Sequence, residues 1–197
     1  LLLNDGFEDT PVGATAVAAT THGEKGVATI RVTDERAAGG RHSLKFSDQP
    51  NLDFVFNPHL WYTPNHVQGT VRFSFDLSAE PGASVYVQWR DAANPYRTGP
   101  SVHFAGGQIK AGGKTICALS AGAWAHVEMT CPLGTAANGK WSLKASVPGQ
   151  SPVALTDLPC DPRFRKLQWL GIVADANAAV TFYVDNVKLE VVKSSEK

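Results

Sequence analysis

The chain has 197 residues, which suits one large all-β domain with a substantial core better than two small domains. Lysine plus arginine and aspartate plus glutamate both number 18, so the formal net charge is zero and no basic field is available to hold a nucleic acid. No apolar run approaches the roughly 20 residues of a membrane span, so a membrane is not an expected partner either.

The first residues, Leu1-Leu2-Leu3-Asn4-Asp5, carry neither an initiator Met nor a basic segment. They do not read as a signal peptide, and the missing Met suggests an excised domain or a processed chain. The first strand candidates are 27–33, 43–47 and 52–56. Val71, Phe73, Phe75 and Leu77 then alternate with Arg72, Ser74 and Asp76, and a period of two puts one set on a core face. Val85, Val87 and Trp89 alternate in the same way with Tyr86, Gln88 and Arg90. Further candidates are 101–104, 124–131, 141–147 and 167–174. The last strand alternates through Val180, Phe182 and Val184 and continues through Val187, Leu189 and Val191. Gly39-Gly40, Pro81-Gly82, Gly112-Gly113, Asn138-Gly139 and Pro148-Gly149 separate these segments with turn chemistry.

No stretch carries a helical stripe, and 18 glycines and 12 prolines disfavour long helices. The expected fold is all-β, a two-sheet antiparallel β-sandwich of the jelly-roll kind. A single module is expected over 1–192, with 193–197 as tail or linker. The three cysteines, Cys117, Cys131 and Cys160, allow one disulfide and one thiol without fixing the pair. No C-x-x-C pair points to structural zinc.

Three segments carry a resemblance. The chain opens with Asn4-Asp5-Gly6-Phe7-Glu8 and closes with Tyr183-Val184-Asp185-Asn186-Val187-Lys188-Leu189. Gly40-Arg41-His42-Ser43-Leu44-Lys45 lies between them. In this order they resemble the β-jelly-roll carbohydrate-binding modules of the xylan- and glucan-binding kind, in the galactose-binding-like superfamily. The run from Trp124 to Gln150 is similar to concanavalin-like accessory domains of glycoside hydrolases. The resemblance implies that the first and last strands lie side by side, bridged by a structural calcium ion. Calcium takes six to eight oxygens, mixing carboxylates with carbonyls. Glu8 and Asp185 are the matching carboxylates, Glu35 a third, and carbonyls near Gly6 and Arg41 complete the implied shell. Alternatively, Glu8 and Asp185 cap backbone amides.

Catalytic patterns are sparse. A jelly-roll glycosidase needs two carboxylates flanking the scissile bond, and the chain contains no E-x-D-x-E or E-x-D-x-x-E. Gln88, Arg90, Tyr96, Arg97 and His103 could serve a polysaccharide lyase, though the strand motifs of alginate lyases are absent. There is no G-x-S-x-G and no H-E-x-x-H.

Sugars stack on aromatic rings and are read by planar polar groups. The densest supply is Tyr86, Gln88 and Arg90 with the following Tyr96 and Arg97, and a second group is Trp61 and Tyr62. Trp89, Trp124, Trp141 and Trp169 are assigned to the core. The leading expectation is a non-catalytic module that binds a polysaccharide or oligosaccharide and holds a linked catalytic domain near its substrate. Its setting would be extracellular or periplasmic. The competing readings are a structural domain packed on a catalytic neighbour, and a small lyase or glycosidase.

Overall fold

The computed structural model describes residues 1–192. The expected tail, 193–197, lies outside the described residues. The strands are β1 (Leu3–Asp5), β2 (Thr20–His22), β3 (Thr29–Thr33), β4 (Ser43–Asp48) and β5 (His59–Tyr62). There follow β6 (Gly69–Ala79), β7 (Ser84–Arg90), β8 (Thr98–Ala105), β9 (Gln108–Ala111) and β10 (Lys114–Ala118). The last are β11 (Trp124–Leu133), β12 (Lys140–Ser146), β13 (Val153–Pro159), β14 (Trp169–Ala174) and β15 (Val180–Val192).

They form two antiparallel sheets. The first runs β13-β12-β11-β6-β15-β4-β3, with β1 also on β15. The second runs β10-β9-β8-β7-β14-β5-β2. The core between them follows from alternation. Val71, Phe73, Phe75 and Leu77 of β6 are fully buried, as are Val85, Val87 and Trp89 of β7. Phe75 meets Phe104 of β8 edge-on at 6.1 Å, joining the sheets, and Phe46 stacks on Phe182 at 4.4 Å. Aromatic burial of this kind supplies most of the driving force of a sandwich.

Differences from the expected strands have local causes. The segment 52–56 is not a strand. It forms a turn that leaves Phe54, Val55 and Phe56 exposed before a cis Asn57-Pro58 bond. Strand β3 starts at Thr29 because Gly26, at φ 62°, sits in a turn closed by the Lys25–Ala28 bridge. Trp124 was expected in the core, yet it lies on the outer side of β11. Ala125, Val127, Met129, Cys131 and Leu133 take the buried parity of that strand. Trp141 is buried, and its indole N–H donates to the Pro159 carbonyl.

The three cysteines are free thiols, and the Cys131 thiol donates to the Pro132 and Lys140 carbonyls. The neighbouring Cys160 thiol, then burial, pushes the Cys131 thiol up.

The chain ends meet on β15. Its first half pairs with β4 and its second half with β1, where Leu3 faces Leu189. A bulge between Asp185 and Lys188 separates the two halves, with Asn186 at φ 49°. The expected adjacency of first and last strands is what the register shows.

Candidate functional site

Parity builds the outer face of the second sheet. Because Val85, Val87 and Trp89 point inward, Tyr86, Gln88 and Arg90 point outward. Register then assigns their neighbours. On β14, Trp169 faces Arg90, Gly171 faces Gln88 and Val173 faces Tyr86. On β8, Ser101 faces Gln88 and His103 faces Tyr86, and on β9 Lys110 faces His103. On β5, Trp61 faces Gly171 and His59 faces Val173.

Arg90 is the centre of this face. Its guanidinium carbon lies 4.3 Å from the Tyr96 ring centroid and 4.1 Å from the Trp169 ring, so two aromatic rings hold it. Its Nε donates to Gln88 Oε1 at 2.6 Å, and Gln88 Nε2 reaches Ser101 Oγ at 3.5 Å. Among the described residues no carboxylate pairs with Arg90. The adjacent Asp91 is buried and accepts from the Ala93 and Arg97 amides and from the Arg97 guanidinium. These bonds close the loop from Asp91 to Arg97 and present Tyr96, which stays half exposed, to Arg90.

Trp169 owes its position to a glycine. A Cβ built on Gly171 would fall inside the Trp169 indole, so the ring lies across the space a side chain would fill. An aromatic series continues beyond it. Trp61 stacks on His59 at 5.4 Å, His59 meets His22 at 5.3 Å and Phe56 at 5.9 Å, and Phe56 stacks on Phe54 at 4.9 Å. At the other end, a cleft of about 350 Å³ opens beside Tyr96, lined by Thr98, Ser101, Trp141 and Asp161. That volume falls within the range of small-ligand sites.

Burial pushes the Tyr86 phenol up and the His103 imidazole down. Burial, then the nearby His22, pushes His59 down as well. His103 Nε2 lies 3.0 Å from Ser84 Oγ. Asp175, whose carboxyl burial pushes up, borders the face near His103.

Of the residues singled out by sequence, Trp61, Tyr86, Gln88, Arg90 and Tyr96 gather on this face. Tyr62 does not. On β5 the outward parity belongs to His59 and Trp61, and Tyr62 is only 1% exposed in the core. Burial lifts its phenol well above the usual range. Arg97 is spent on Asp91 and on the Arg163 carbonyl, so it braces the loop. Trp169, expected in the core, is half-buried on the outer face, because Leu170 and Ile172 hold the inward parity of β14. His59 and Lys110 join the face through register, which no pattern within a single strand reveals.

The five residues of the implied calcium shell occupy the chain-end corner. Glu8 Oε1 accepts the Arg41 and His42 amides, both at 2.8 Å. The His42 and then the Arg41 amide hold the Glu8 carboxyl below its ordinary range. Asp185 is fully buried, and its Oδ2 accepts the Ala38 and Gly39 amides at 2.8 and 3.1 Å. Its Oδ1 accepts the Asn186 amide, yet burial outweighs these bonds and raises its carboxyl. Gly6 packs beside Asn186 and Asp185. Glu35 turns to Lys45 at 2.6 Å and to the Tyr183 hydroxyl at 3.0 Å. Lys45 lowers the Glu35 carboxyl, whereas burial and Glu35 push the Tyr183 phenol to about 12. As arranged, Glu8 and Asp185 cap amides of the turn between Ala38 and His42, while Glu8 Oε2 accepts no described hydrogen bond.

No protein-family model matches this chain, and a comparison with curated proteins finds no relative. Solved structures do match in shape. An endo-β-1,4-glucuronan lyase from the fungus Trichoderma reesei superposes with a TM-score of 0.63 at 10% identity, covering 93% of this chain and 95% of that one. A cellulose-induced protein, Cip1, gives 0.60 at 13% identity, with 99% and 100% covered. An alginate lyase from Aplysia kurodai gives 0.53 at 11% identity, with 83% and 87% covered. At such identities the likeness speaks for shape, and what it establishes for this chain is the fold, a two-sheet β-jelly roll of the kind found among carbohydrate-active proteins.

Proposed function

We propose that this chain is a carbohydrate-binding module that grips a glycan along the outer face of the second sheet without cleaving it. The observation that carries this reading is the Arg90 guanidinium held between Tyr96 and Trp169, with Gln88 fixing its tilt. Rings of this kind stack on the apolar faces of sugars, and planar polar groups beside them read hydroxyls. The aromatic series along β5 extends the same surface, which suits a chain rather than a single sugar. A binding-only role is supported by the carboxylates. Among the described residues no carboxylate stands on a strand position of the face, Asp175 borders its His103 end and Asp161 at the cleft is paired with Arg163, whereas a glycosidase needs two acids across the scissile bond. In this reading the module serves a linked polysaccharide-degrading domain in an extracellular setting.

Affinity electrophoresis over a panel of plant, algal and host glycans tests the reading. Retardation by at least one glycan is expected, with Arg90→Ala and Tyr96→Ala each weakening it tenfold or more at unchanged Tm. Retardation by none would overturn it and favour a domain that only packs on a neighbour.

One observation favours a second reading, cleavage of a uronate polymer by β-elimination. Tyr86 and His103 are cross-strand neighbours beside Gln88 and Arg90, and burial lowers the His103 pKa, which favours the neutral imidazole that can accept a proton. Elimination creates a C4–C5 double bond that absorbs near 235 nm. A steady rise at that wavelength, lost in His103→Ala, would replace the binding-only reading with this one.

A further inference from the structure

Resting on the binding reading above, we propose that the glycan recognised by this face is acidic, with a carboxylate or sulfate group seated on Arg90. The argument starts from charge. The molecule as a whole is neutral, but the strand positions on this face are not. They carry Arg90 and Lys110, with His59 and His103 between and beside them, and no carboxylate. Two acids border it: Asp175 lies at the His103 end, away from Arg90 along β7, and Asp161, paired with Arg163, lines the cleft beside Tyr96.

The state of Arg90 makes the case specific. Elsewhere on the described chain Arg31 pairs with Glu24, Arg36 with Glu80, Arg72 with Glu128 and Glu190, Arg97 with Asp91 and Arg163 with Asp161, while Arg41 and Arg165, which pair with no described acid, lie exposed. Arg90 is half-buried and has no such partner. Its Nε is taken by Gln88, and the Tyr96 and Trp169 rings both lie against the guanidinium, at 4.3 and 4.1 Å from its carbon. What remains is the terminal edge of the fork, the part that meets a carboxylate or sulfate in paired hydrogen bonds. A guanidinium immobilised and partly desolvated without a counter-charge favours an incoming anion, because its ordering has already been met by the fold.

Lys110 supplies a second cation. It lies two strands from β7 and four residues along from the Arg90 level, on the order of 15 Å away at ordinary strand spacings. Like Arg90, it pairs with no described carboxylate. Two cations so far apart match acid groups on different sugars of one polymer, not two groups on one sugar.

The test uses the chain as it stands. Binding is measured by titration calorimetry to polygalacturonate, alginate, a sulfated galactan, fully methyl-esterified polygalacturonate and neutral galactan. Acidic polymers are expected to bind at least tenfold more tightly than the esterified and neutral ones. Comparing the polyuronides with the sulfated polymer tells which acid group Arg90 takes. Arg90→Lys is expected to lose most of that preference, because an ammonium lacks the planar fork, while Lys144→Gln on the opposite sheet leaves it intact.

Equal binding to esterified or neutral polymers would overturn the inference while leaving the glycan-binding reading in place. An equal loss in Arg90→Lys and Lys144→Gln would also overturn it, since the attraction would then be diffuse charge. Binding to no polymer would remove both.

Discussion

At Gly171 a missing side chain sets the form of a surface. The Trp169 indole lies where a Cβ would project, and Arg90 lies over that ring at 4.1 Å. Gly171→Val is therefore expected to lift the indole, release one side of the Arg90 clamp and weaken glycan binding tenfold or more. The core side of β14 is untouched, so the denaturation midpoint should move little. Unchanged affinity in this variant would show that the clamp is incidental. Residue-level reading of the sequence placed Tyr86, Gln88, Arg90 and Tyr96 on the face where the structure puts them, because alternation on β7 is clean and the loop is short. It misplaced Tyr62 and Trp169. Both err for the same reason: an aromatic residue suits either side of a strand, and only the registered neighbours decide which. Nothing in the sequence pairs Gly171 with Trp169 as a site and its seat.

Among the elements, β6 and β11 were legible because their apolar positions repeat over many residues. Short strands such as β2, β5 and β10 were not, since three to five residues give no period to count. Long strands also carry charge networks on their outer faces. His126 on β11 bonds Asp76 on β6 at 2.7 Å, and Asn186 of β15 donates to the other Asp76 oxygen at 2.6 Å. The Asp76 hydrogen bond, with Asp76 and Glu128 charges nearby, raises the imidazole above its ordinary value. A raised folded value means the protonated ring stabilises the fold. The contribution is full below about pH 6.5, the unfolded value, and fades as pH climbs through the folded one. His126→Gln should thus lose stability at pH 5.5 and little at pH 9. The ring is partly exposed, so the loss should be no more than about 1 kcal/mol. Urea midpoints at the two pH values check this, and equal losses at both would refute the coupling.

On the scale of the molecule, the matched ends carried the fold assignment, and the register of β1 on β15 accounts for it. The same ends suggested calcium, which depends on where individual oxygens point, and no sequence pattern specifies that. Here the turn amides of Ala38, Gly39, Arg41 and His42 already donate to Asp185 and Glu8. Excess EGTA is expected to leave Tm unchanged, whereas a fall of several degrees would put an ion at this corner. The corner has a topological consequence as well. Leu3 and Leu189 are antiparallel neighbours, so the backbone enters and leaves the sandwich at nearly one point. A short peptide could close that gap into a ring. The ring could then be reopened at the exposed turn around Gly149, between β12 and β13 on the sheet opposite the Arg90 face, without changing the order of any strand. Such a circular permutant would carry its free ends on the other side of the molecule and leave the Arg90 face intact.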